Sequence, residues 1–243
     1  MSSEDVTRKE AIRQRIWTQL EESGASPHGA HGRIPDFVGS DQAADLLATL
    51  TEWQQATTIK ANPDHAQRPV REHALREAKL LFMAVPKLAT IKPFYRLDPK
   101  ELGDNPERAA DRYVAAESAP TVAVEELSPI DFIVCGSVAV NHEGVRIGKG
   151  AGYSDIEVAL LAEAGLIGDW TVIATTVHAL QVVDEPLPAT THDFSVDLIV
   201  TPEDIIRCGR TRRSHGIEWE YLSPEKIAEI PLLRTRSSTR RSG

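Results

Sequence analysis

The spacing of apolar residues predicts a helix near the start of the chain. Apolar side chains recur every four positions there, at Ile12, Ile16 and Leu20. Charged residues occupy the opposite face, so residues 5 to 21 are expected to form an amphipathic helix. A loop rich in glycine and proline follows. Ser40 is then the expected N-cap of a second helix over residues 41 to 54.

Short apolar runs further along the chain predict the strands of a sheet. The most apolar run, "IDFIVCGSVAV" (130 to 140), is expected to be a central strand. Other strands are predicted in "TTIKA" (57 to 61), in the second half of "PVREHALREAKLLFMAVP" (69 to 86), in "WTVIATTV" (170 to 177) and in "VDLIVTP" (196 to 202). Helices are predicted between them, in the first half of 69 to 86, at 106 to 117 and at 154 to 165. Strands that are apolar on both faces and alternate with helices indicate a layered α/β fold with a largely parallel sheet.

The length and the charge distribution limit the domain organisation. A chain of 243 residues is long enough for one well-buried core. We predict a single domain over residues 1 to 233, followed by a basic tail, "RTRSSTRRSG" (234 to 243). This tail is expected to be disordered, with contact to phosphate or RNA as the alternative. The formal net charge of −9 makes nucleic acid an unlikely partner of the rest of the chain.

Targeting signals and cysteines bear on the compartment. No apolar run approaches the roughly 20 residues of a membrane span, and the first residues, "MSSEDVTRKEA", are polar. Cys135 and Cys208 are too few and too far apart for a disulfide framework or a four-ligand zinc site. A cytoplasmic protein without membrane contact is therefore expected.

Glycines alternate with other residues in one stretch, "VRIGKGAGYSDIE" (145 to 157), just before a predicted helix. Glycine allows backbone N–H groups to approach a ligand closely, and a helix N-terminus adds donors and partial positive charge. Arg146 and Lys149 make the stretch cationic, which suits phosphate. Asp155 could hold a Mg²⁺ ion that arrives with a nucleotide. The alternative is a plain flexible turn, and the spacing matches neither a Walker loop nor a dinucleotide fingerprint.

Three segments together resemble one known family. The stretch around the glycines is similar to N-R-L-G-x-G-x-G-Y-Y-D of the 5-formyltetrahydrofolate cyclo-ligases, also called methenyltetrahydrofolate synthetases. Their N-terminal K-x-x-x-R is matched by Lys9 and Arg13, and their H-D-x-x-V-D-x-I-V-T-P by "HDFSVDLIVTP" (192 to 202). The resemblance spans roughly residues 5 to 205. The region 62 to 75, with "FYRLDP" (94 to 99), resembles a divergent branch found in longer methenyltetrahydrofolate synthetase domain-containing proteins.

The resemblance implies a fold, an activity and a set of site residues. The fold is a three-layer α/β/α sandwich of the NagB/RpiA/CoA transferase-like type. The activity is the ATP- and Mg²⁺-dependent cyclisation of 5-formyltetrahydrofolate to 5,10-methenyltetrahydrofolate. The residues implied to bind the ATP phosphates are Lys9, Arg13, Arg146, Gly148, Lys149, Gly150 and Gly152. Tyr153 is implied at the junction of nucleotide and folate, which makes Arg146, Lys149 and Tyr153 the implied catalytic residues, and Asp155 and Asp193 are the implied Mg²⁺ ligands.

Each of these roles has a structural alternative. Lys9 and Arg13 could lie on a solvated helix face, and Asp193 could cap its own loop. The chain also departs from the family pattern at Ala151, at Ser154 and in the region 62 to 75, where the family usually has an acid that contacts the pterin. Asp64 is the only acid before Arg68 in that region.

Three functional hypotheses follow. The first is the cyclo-ligase. The second is an ATP-using ligase or kinase-like enzyme for another heterocycle, with Arg68 and Arg71 either meeting an anionic ligand or lying at a solvated helix start. The third is a nucleotide- or folate-binding module without turnover.

Overall fold

A computed structural model describes residues 3–209 and 212–241. The helices are α1 (Ser3–Glu22), α2 (Ser40–Ala48), α3 (Thr51–Gln55), α4 (Arg68–Arg76), α5 (Arg112–Ser118), α6 (Tyr153–Glu163), α7 (Pro224–Glu229) and α8 (Pro231–Arg241). The strands are β1 (Thr58–Ala61), β2 (Leu80–Ala84), β3 (Phe94–Leu97), β4 (Thr121–Val122), β5 (Phe132–Cys135), β6 (Ala139–Asn141), β7 (Arg146–Ile147), β8 (Val172–Thr176), β9 (Val182–Val183), β10 (Leu198–Val200) and β11 (Ile205–Arg207).

The large sheet is parallel at its centre and antiparallel at both edges. Its strand order is β11-β10-β8-β5-β1-β2-β3-β4. Neighbours from β10 to β2 pair in parallel, whereas β11, β3 and β4 pair antiparallel. Every residue of β1 and β5 is buried, because helices cover both faces of the sheet. The structure therefore confirms the predicted α/β fold with a largely parallel sheet.

Two apolar clusters separate the three layers. On one face, α1 to α4 pack against the sheet through residues such as Leu20, Leu47 and Trp53. On the other face, α6 and the C-terminal helices pack through residues such as Leu160 and Leu233. The arrangement of helix layer, sheet and helix layer is the expected α/β/α sandwich.

The predicted strand over 130 to 140 is wrong in one respect, because the structure divides it. Strand β5 ends at Cys135, and the chain then leaves the large sheet and forms β6 of a small sheet with the order β7-β6-β9. Gly136 lies at the break, where a Cβ atom would come within 2.6 Å of Ile34 Cγ2. The apolar run continues because both sheets are buried, so hydropathy alone does not mark the break.

The predicted helix over 41 to 54 is likewise two helices, α2 and α3. Ser40 is the first residue of α2 and does not cap it. The N-cap is Gly39, with a φ angle of 92°, and a Cβ atom there would lie 2.5 Å from Pro202 Cγ. Close packing against Pro202 therefore requires glycine at the cap position. The predicted helix over 106 to 117 is also divided, into a 3-10 turn at Pro106–Ala110 and helix α5.

The expectation of a disordered tail is wrong for residues 234 to 241. Helix α8 runs through the expected domain boundary and ends at Arg241, and residues 242 and 243 lie outside the described part. Leu233 is fully buried, and Arg236 makes ion pairs with Glu163 (2.7 Å) and Glu125 (3.0 Å). Arg236 of this basic segment therefore has acidic partners on the folded domain. Among the helices of the described ranges, none has the length and apolar character needed to cross a membrane.

Candidate active site

A cleft of about 700 Å³ opens at the carboxyl ends of the parallel strands. Its floor is formed by residues that directly follow β1, β2 and β5, namely Asn62, Val85 and Gly136. Strand β2 lies on one side of β1, whereas β5 and then β8 lie on its other side. The direction in which strands are added to the sheet therefore reverses between β1 and β5. Ligands of open α/β sheets bind at such a reversal point.

The structure brings all of the predicted site residues together in this cleft. Its lining includes Lys9, Arg13, Arg146, Gly148, Lys149, Gly150, Gly152, Tyr153, Asp155 and Asp193. They come from α1, from the stretch that runs from β7 into the first turn of α6, and from the loop before β10. Their convergence, which the order of motifs alone could not establish, is a property of the tertiary structure.

The glycine stretch joins strand β7 to the N-terminus of α6. Gly150 and Gly152 have φ angles of 96° and 73°, in the left-handed region that favours glycine, and Gly152 is the N-cap of α6. Arg13 Nε donates a hydrogen bond to the carbonyl oxygen of Gly148 (2.7 Å). The first N–H groups of α6 have no acceptors within the helix and adjoin the cleft. The stretch is thus a fixed, donor-rich turn.

Arg146 is the most deeply buried cation that reaches the cleft, with 5% of its surface exposed. Its guanidinium lies 4.4 Å from the centre of the Phe194 ring. Burial by itself would lower the pKa of Arg146, but Asp155, Asp193 and Glu157 nearby raise it above its ordinary value. The buried Nε has no hydrogen-bond partner in the described part of the chain. A buried donor without a partner is costly, and an anionic ligand would remove that cost.

The carboxylates of Asp193 and Asp155 differ in how many hydrogen bonds they accept from the protein. Asp193 Oδ2 accepts hydrogen bonds from Lys9 Nζ (2.6 Å) and from the backbone and hydroxyl of Thr190 (2.7 and 2.9 Å). Burial opposes ionisation, but these bonds hold the pKa of Asp193 below its ordinary value. Asp193 Oδ1 and both oxygens of Asp155 receive no hydrogen bond from the described residues. Burial raises the pKa of Asp155, Asp193 acts in the same direction, and Arg146 opposes them.

These carboxylates are compatible with a magnesium ion, although they do not form a complete metal site. Within the described ranges, no group of three or more His, Cys, Asp or Glu side chains could hold a metal. Mg²⁺ is commonly held by one or two carboxylates, with phosphate and water oxygens as its other ligands. Asp155 and Asp193 Oδ1 could provide that smaller set. Lys9 binds the other oxygen of Asp193, so its ammonium is partly neutralised before any phosphate arrives.

The sequence analysis did not identify a polar cluster in the floor of the cleft. Lys60 is fully buried and makes an ion pair with Glu157, which lines the cleft. Lys60 Nζ also donates to Asn62 Oδ1 (2.8 Å), and Asn62 Nδ2 donates to Ser154 Oγ (2.6 Å). A lysine in the middle of the apolar strand "TTIKA" and a glutamate in the apolar helix α6 were the available signals.

The C-terminal segment also contributes a wall that the sequence analysis did not identify. Tyr221 and Lys226 line the cleft. Lys226 Nζ lies 4.2 Å from the centre of the Tyr153 ring, and Glu229 accepts hydrogen bonds from Lys226 (2.7 Å) and from the Tyr153 hydroxyl (2.5 Å). Tyr153 is therefore held at the start of α6 by residues of α7.

The basic residues of the divergent region 62 to 75 have structural partners. Arg71 is 1% exposed and donates to the backbone oxygens of Asn62, Asp64 and Ala110. Burial lowers the pKa of Arg71 to about 10. Arg68 pairs with Glu72 at 2.9 Å. Arg71 thus shapes the turn after β1, and of the acids in this region, Asp64 is the one that faces the cleft and pairs with Lys149 (3.1 Å).

The fold and the cleft define a layered α/β protein whose ligand site, at the carboxyl edge of a parallel sheet, is lined by several cationic side chains. The model of the 5-formyltetrahydrofolate cyclo-ligase family matches residues 5–202. The chain belongs to this family, which confirms the resemblance seen in the sequence.

Relatives agree with this assignment, and a solved structure shares the fold. A methenyltetrahydrofolate synthase domain-containing protein of Mus musculus is 37% identical over 240 residues, which cover 96% of this chain and 64% of that protein. Its counterpart in Homo sapiens is 34% identical over 233 residues, which cover 93% of this chain and 61% of that protein. The chain thus spans less than two thirds of the length of these relatives. The NMR structure of Aquifex aeolicus 5,10-methenyltetrahydrofolate synthetase shares the fold, with a TM-score of 0.54 and 23% identity over 88% of this chain and 99% of that one.

Proposed function

We propose that this protein is an ATP- and Mg²⁺-dependent 5-formyltetrahydrofolate cyclo-ligase that acts in the cytoplasm. The products are 5,10-methenyltetrahydrofolate, ADP and phosphate. Family membership supports the reaction type, and the cleft supports the use of a phosphate-bearing substrate. The observation that carries the proposal is the Nε of buried Arg146, which has no partner among the described residues and lies beside the N-terminus of α6 and a turn of glycines.

The reaction needs alignment and charge neutralisation more than it needs a protein nucleophile. The formyl oxygen attacks the γ-phosphorus of ATP, the bond to the β-phosphate oxygen breaks, and ADP leaves. N10 of the folate then attacks the formyl carbon and loses its proton, and the carbon–oxygen bond to phosphate breaks. Both steps move negative charge onto phosphate oxygens, which cationic side chains and backbone donors stabilise when they are already in place.

The chain's own residues divide this work. Arg146, Lys149 and the backbone from Gly148 to Gly152 hold the phosphates. Arg13 keeps that backbone in position through its bond to Gly148. Asp155 and Asp193 would hold Mg²⁺, which supplies positive charge against the phosphates. Tyr153 follows the glycine turn and contacts the wall formed by α7 through its hydrogen bond to Glu229.

A coupled pair of measurements tests the proposal. Purified protein is incubated with Mg-ATP and 5-formyltetrahydrofolate, the near-ultraviolet absorbance of the methenyl product is recorded, and ADP is measured in parallel. We expect equal amounts of both products, and none when either substrate or Mg²⁺ is left out. Absence of methenyl product with a fully folded protein would refute the activity.

A second candidate is a nucleotide- or folate-binding protein of the same fold that does not turn over, or that uses another substrate. One observation favours it: the ammonium of Lys9, expected at the phosphates, is paired with Asp193. Titration calorimetry with a non-hydrolysable ATP analogue and with 5-formyltetrahydrofolate separates the candidates. Binding of both ligands without product supports the second candidate, whereas binding with product supports the first.

A further inference from the structure

Three side chains of the cleft floor are joined to one buried lysine. Lys60 Nζ contacts Glu157 Oε2 and Asn62 Oδ1, and Asn62 Nδ2 in turn donates a hydrogen bond to Ser154 Oγ. Lys60 is 0% exposed, so its ammonium cannot itself reach a ligand. Glu157, Asn62 and Ser154 all line the cleft. The lysine therefore orients three groups that a ligand can reach.

Each of these groups keeps hydrogen-bonding capacity that the described part of the protein does not use. Glu157 contacts Lys60 through Oε2, which leaves Oε1 for a ligand in the cleft that this side chain lines. Asn62 Nδ2 has two hydrogens and gives one to Ser154. The Ser154 hydroxyl accepts that bond and keeps its own hydrogen free. The cluster thus presents one charged acceptor beside two neutral donors.

Structural stability alone does not account for this arrangement. A buried ion pair adds little net stability compared with apolar residues of similar volume, because both charges lose their hydration. Because Glu157 lines the cleft, a ligand there can donate a hydrogen bond to its Oε1, the oxygen that does not contact Lys60.

We propose that Glu157, Asn62 and Ser154 form the subsite that recognises the heterocycle of the second substrate. The matching chemistry is a planar ring edge with N–H donors next to a carbonyl or ring-nitrogen acceptor, such as the 2-amino-4-oxopyrimidine edge of a pterin. Glu157 Oε1 accepts from the N–H groups, and Asn62 and Ser154 donate to the acceptor. This inference rests on the proposed function, since it takes a reduced folate as the ligand. It also explains how the chain can bind a pterin without the acid that the family usually has after its first strand.

Binding measurements with two folates test the subsite. The first ligand is 5-formyltetrahydrofolate, and the second is the same compound with its 2-amino group replaced by methyl. We expect the unmodified protein to bind the first at least about tenfold more tightly, because a hydrogen bond to a charged group contributes about 1.5–3 kcal/mol and each 1.4 kcal/mol is tenfold. Equal affinity for the two ligands, or binding of neither, would overturn the proposal.

Two variants and a control test which residues cause the difference in affinity between the two folates. Lys60→Met combined with Glu157→Leu replaces the ion pair with apolar groups, and Ser154→Ala removes one donor without disturbing the pair. The double variant should bind both folates equally and keep its affinity for a non-hydrolysable ATP analogue within twofold. Ser154→Ala should weaken 5-formyltetrahydrofolate about threefold to tenfold. Lys79→Met removes another buried lysine, which bonds the backbone of Trp53 and Ala56, and should leave both folate affinities unchanged.

The outcomes separate this inference from the proposed function. Discrimination that persists in the folded double variant would overturn the subsite even if turnover is normal. Discrimination that is present in the unmodified protein and lost in the double variant would support it even if no methenyl product forms, in which case the proposed activity fails and the subsite stands. If the double variant does not fold, Ser154→Ala decides, since unchanged affinity in that variant contradicts the assigned donor.

Discussion

Arg13 Nε donates a hydrogen bond to the carbonyl oxygen of Gly148 at 2.7 Å, although the two residues are 135 positions apart. The same guanidinium contacts Glu10 through Nη1 at 2.9 Å. A Cβ atom on Gly150 would lie 3.3 Å from Arg13 Cζ. The first helix therefore holds the glycine turn in place, which makes Arg13 a positioning residue for the proposed phosphate site.

Removing this support should weaken nucleotide binding more than it weakens the fold. We expect Arg13→Met to raise the KM for ATP roughly tenfold, since a hydrogen bond from a charged group contributes about 1.5–3 kcal/mol, with a smaller change in kcat. Arg15→Met is the matched control, because Arg15 lies on the same helix and pairs with Glu185 at the surface. Equal effects of the two substitutions on KM would contradict the positioning role.

Charge alone should not replace Arg146. Its planar guanidinium packs on Phe194, and its unpartnered Nε is the donor assigned to phosphate. Arg146→Lys keeps the positive charge near Asp155 but has no planar fork. We expect it to retain most of the thermal stability and to lose more than tenfold in kcat/KM.

Arg146→Met, which removes the charge as well, should lower both stability and activity because Asp155 and Asp193 lose a positive neighbour. Thermal melts and steady-state kinetics on the two variants check both statements. Full activity in Arg146→Lys would refute the role of the guanidinium.

Asp155 should reduce stability at neutral pH. Burial raises its pKa, so the folded state holds its proton more tightly than the unfolded state does. The ionised carboxylate then destabilises the fold fully above the folded pKa, and this effect disappears as pH falls towards the unfolded value of about 3.9. We expect Asp155→Asn to melt at a higher temperature than the unmodified protein at alkaline pH, with the difference shrinking as the pH falls through the folded pKa towards the unfolded value.

The same substitution should abolish Mg²⁺-dependent turnover, because it removes the carboxylate assigned to the metal. Asp131→Asn serves as a control, since Asp131 binds the backbone of Thr57 and Thr58 away from the cleft. Unchanged activity of Asp155→Asn, or a melting difference that grows towards low pH, would contradict the prediction.

The two ends of α6 provide a matched pair of glycines. Gly152 precedes the helix with φ 73°, Gly165 follows it with φ 67°, and a Cβ atom on either would meet nothing within 4 Å. Alanine at each position should cost roughly 1–2 kcal/mol of stability, because left-handed backbone is unfavourable for residues with a Cβ atom. Only Gly152→Ala adds a methyl group to the phosphate end of the cleft. We expect similar melting temperatures for both variants and at least tenfold weaker ATP binding for Gly152→Ala alone.

The contact between Tyr153 and Glu229 predicts a spectroscopic change. Burial and the hydrogen bond to Glu229 raise the pKa of Tyr153, while Lys226 opposes them. We expect Glu229→Gln to lower the pKa of this phenol, as followed by ultraviolet absorbance during an alkaline titration. Tyr153→Phe identifies the contribution of this tyrosine among the four in the chain. An unchanged titration would show that α7 does not hold Tyr153 in solution.

The sequence was informative about the site wherever chemistry is local. The glycines occupy alternate positions, with Arg146 before them and Lys149 between the first two. This pattern specifies a turn whose backbone can approach phosphate. The structure places that turn at the start of α6. Apolar runs likewise predicted the strands at the centre of the sheet. Hydropathy could not locate the break after Cys135, because the residues on both sides of it are buried in two different sheets.

Residues that acquire a role only through a distant partner were not predictable in this way. Lys60 and Glu157 are 97 positions apart, and neither carries a motif, yet they form an ion pair in the cleft floor. Tyr153 meets Glu229 across 76 positions. By itself the sequence determined the parallel α/β core and the glycine turn before α6, because both depend on neighbouring residues. The tertiary structure decided the floor and the C-terminal wall, because these form only when packing brings separate elements around one reversal point of the sheet.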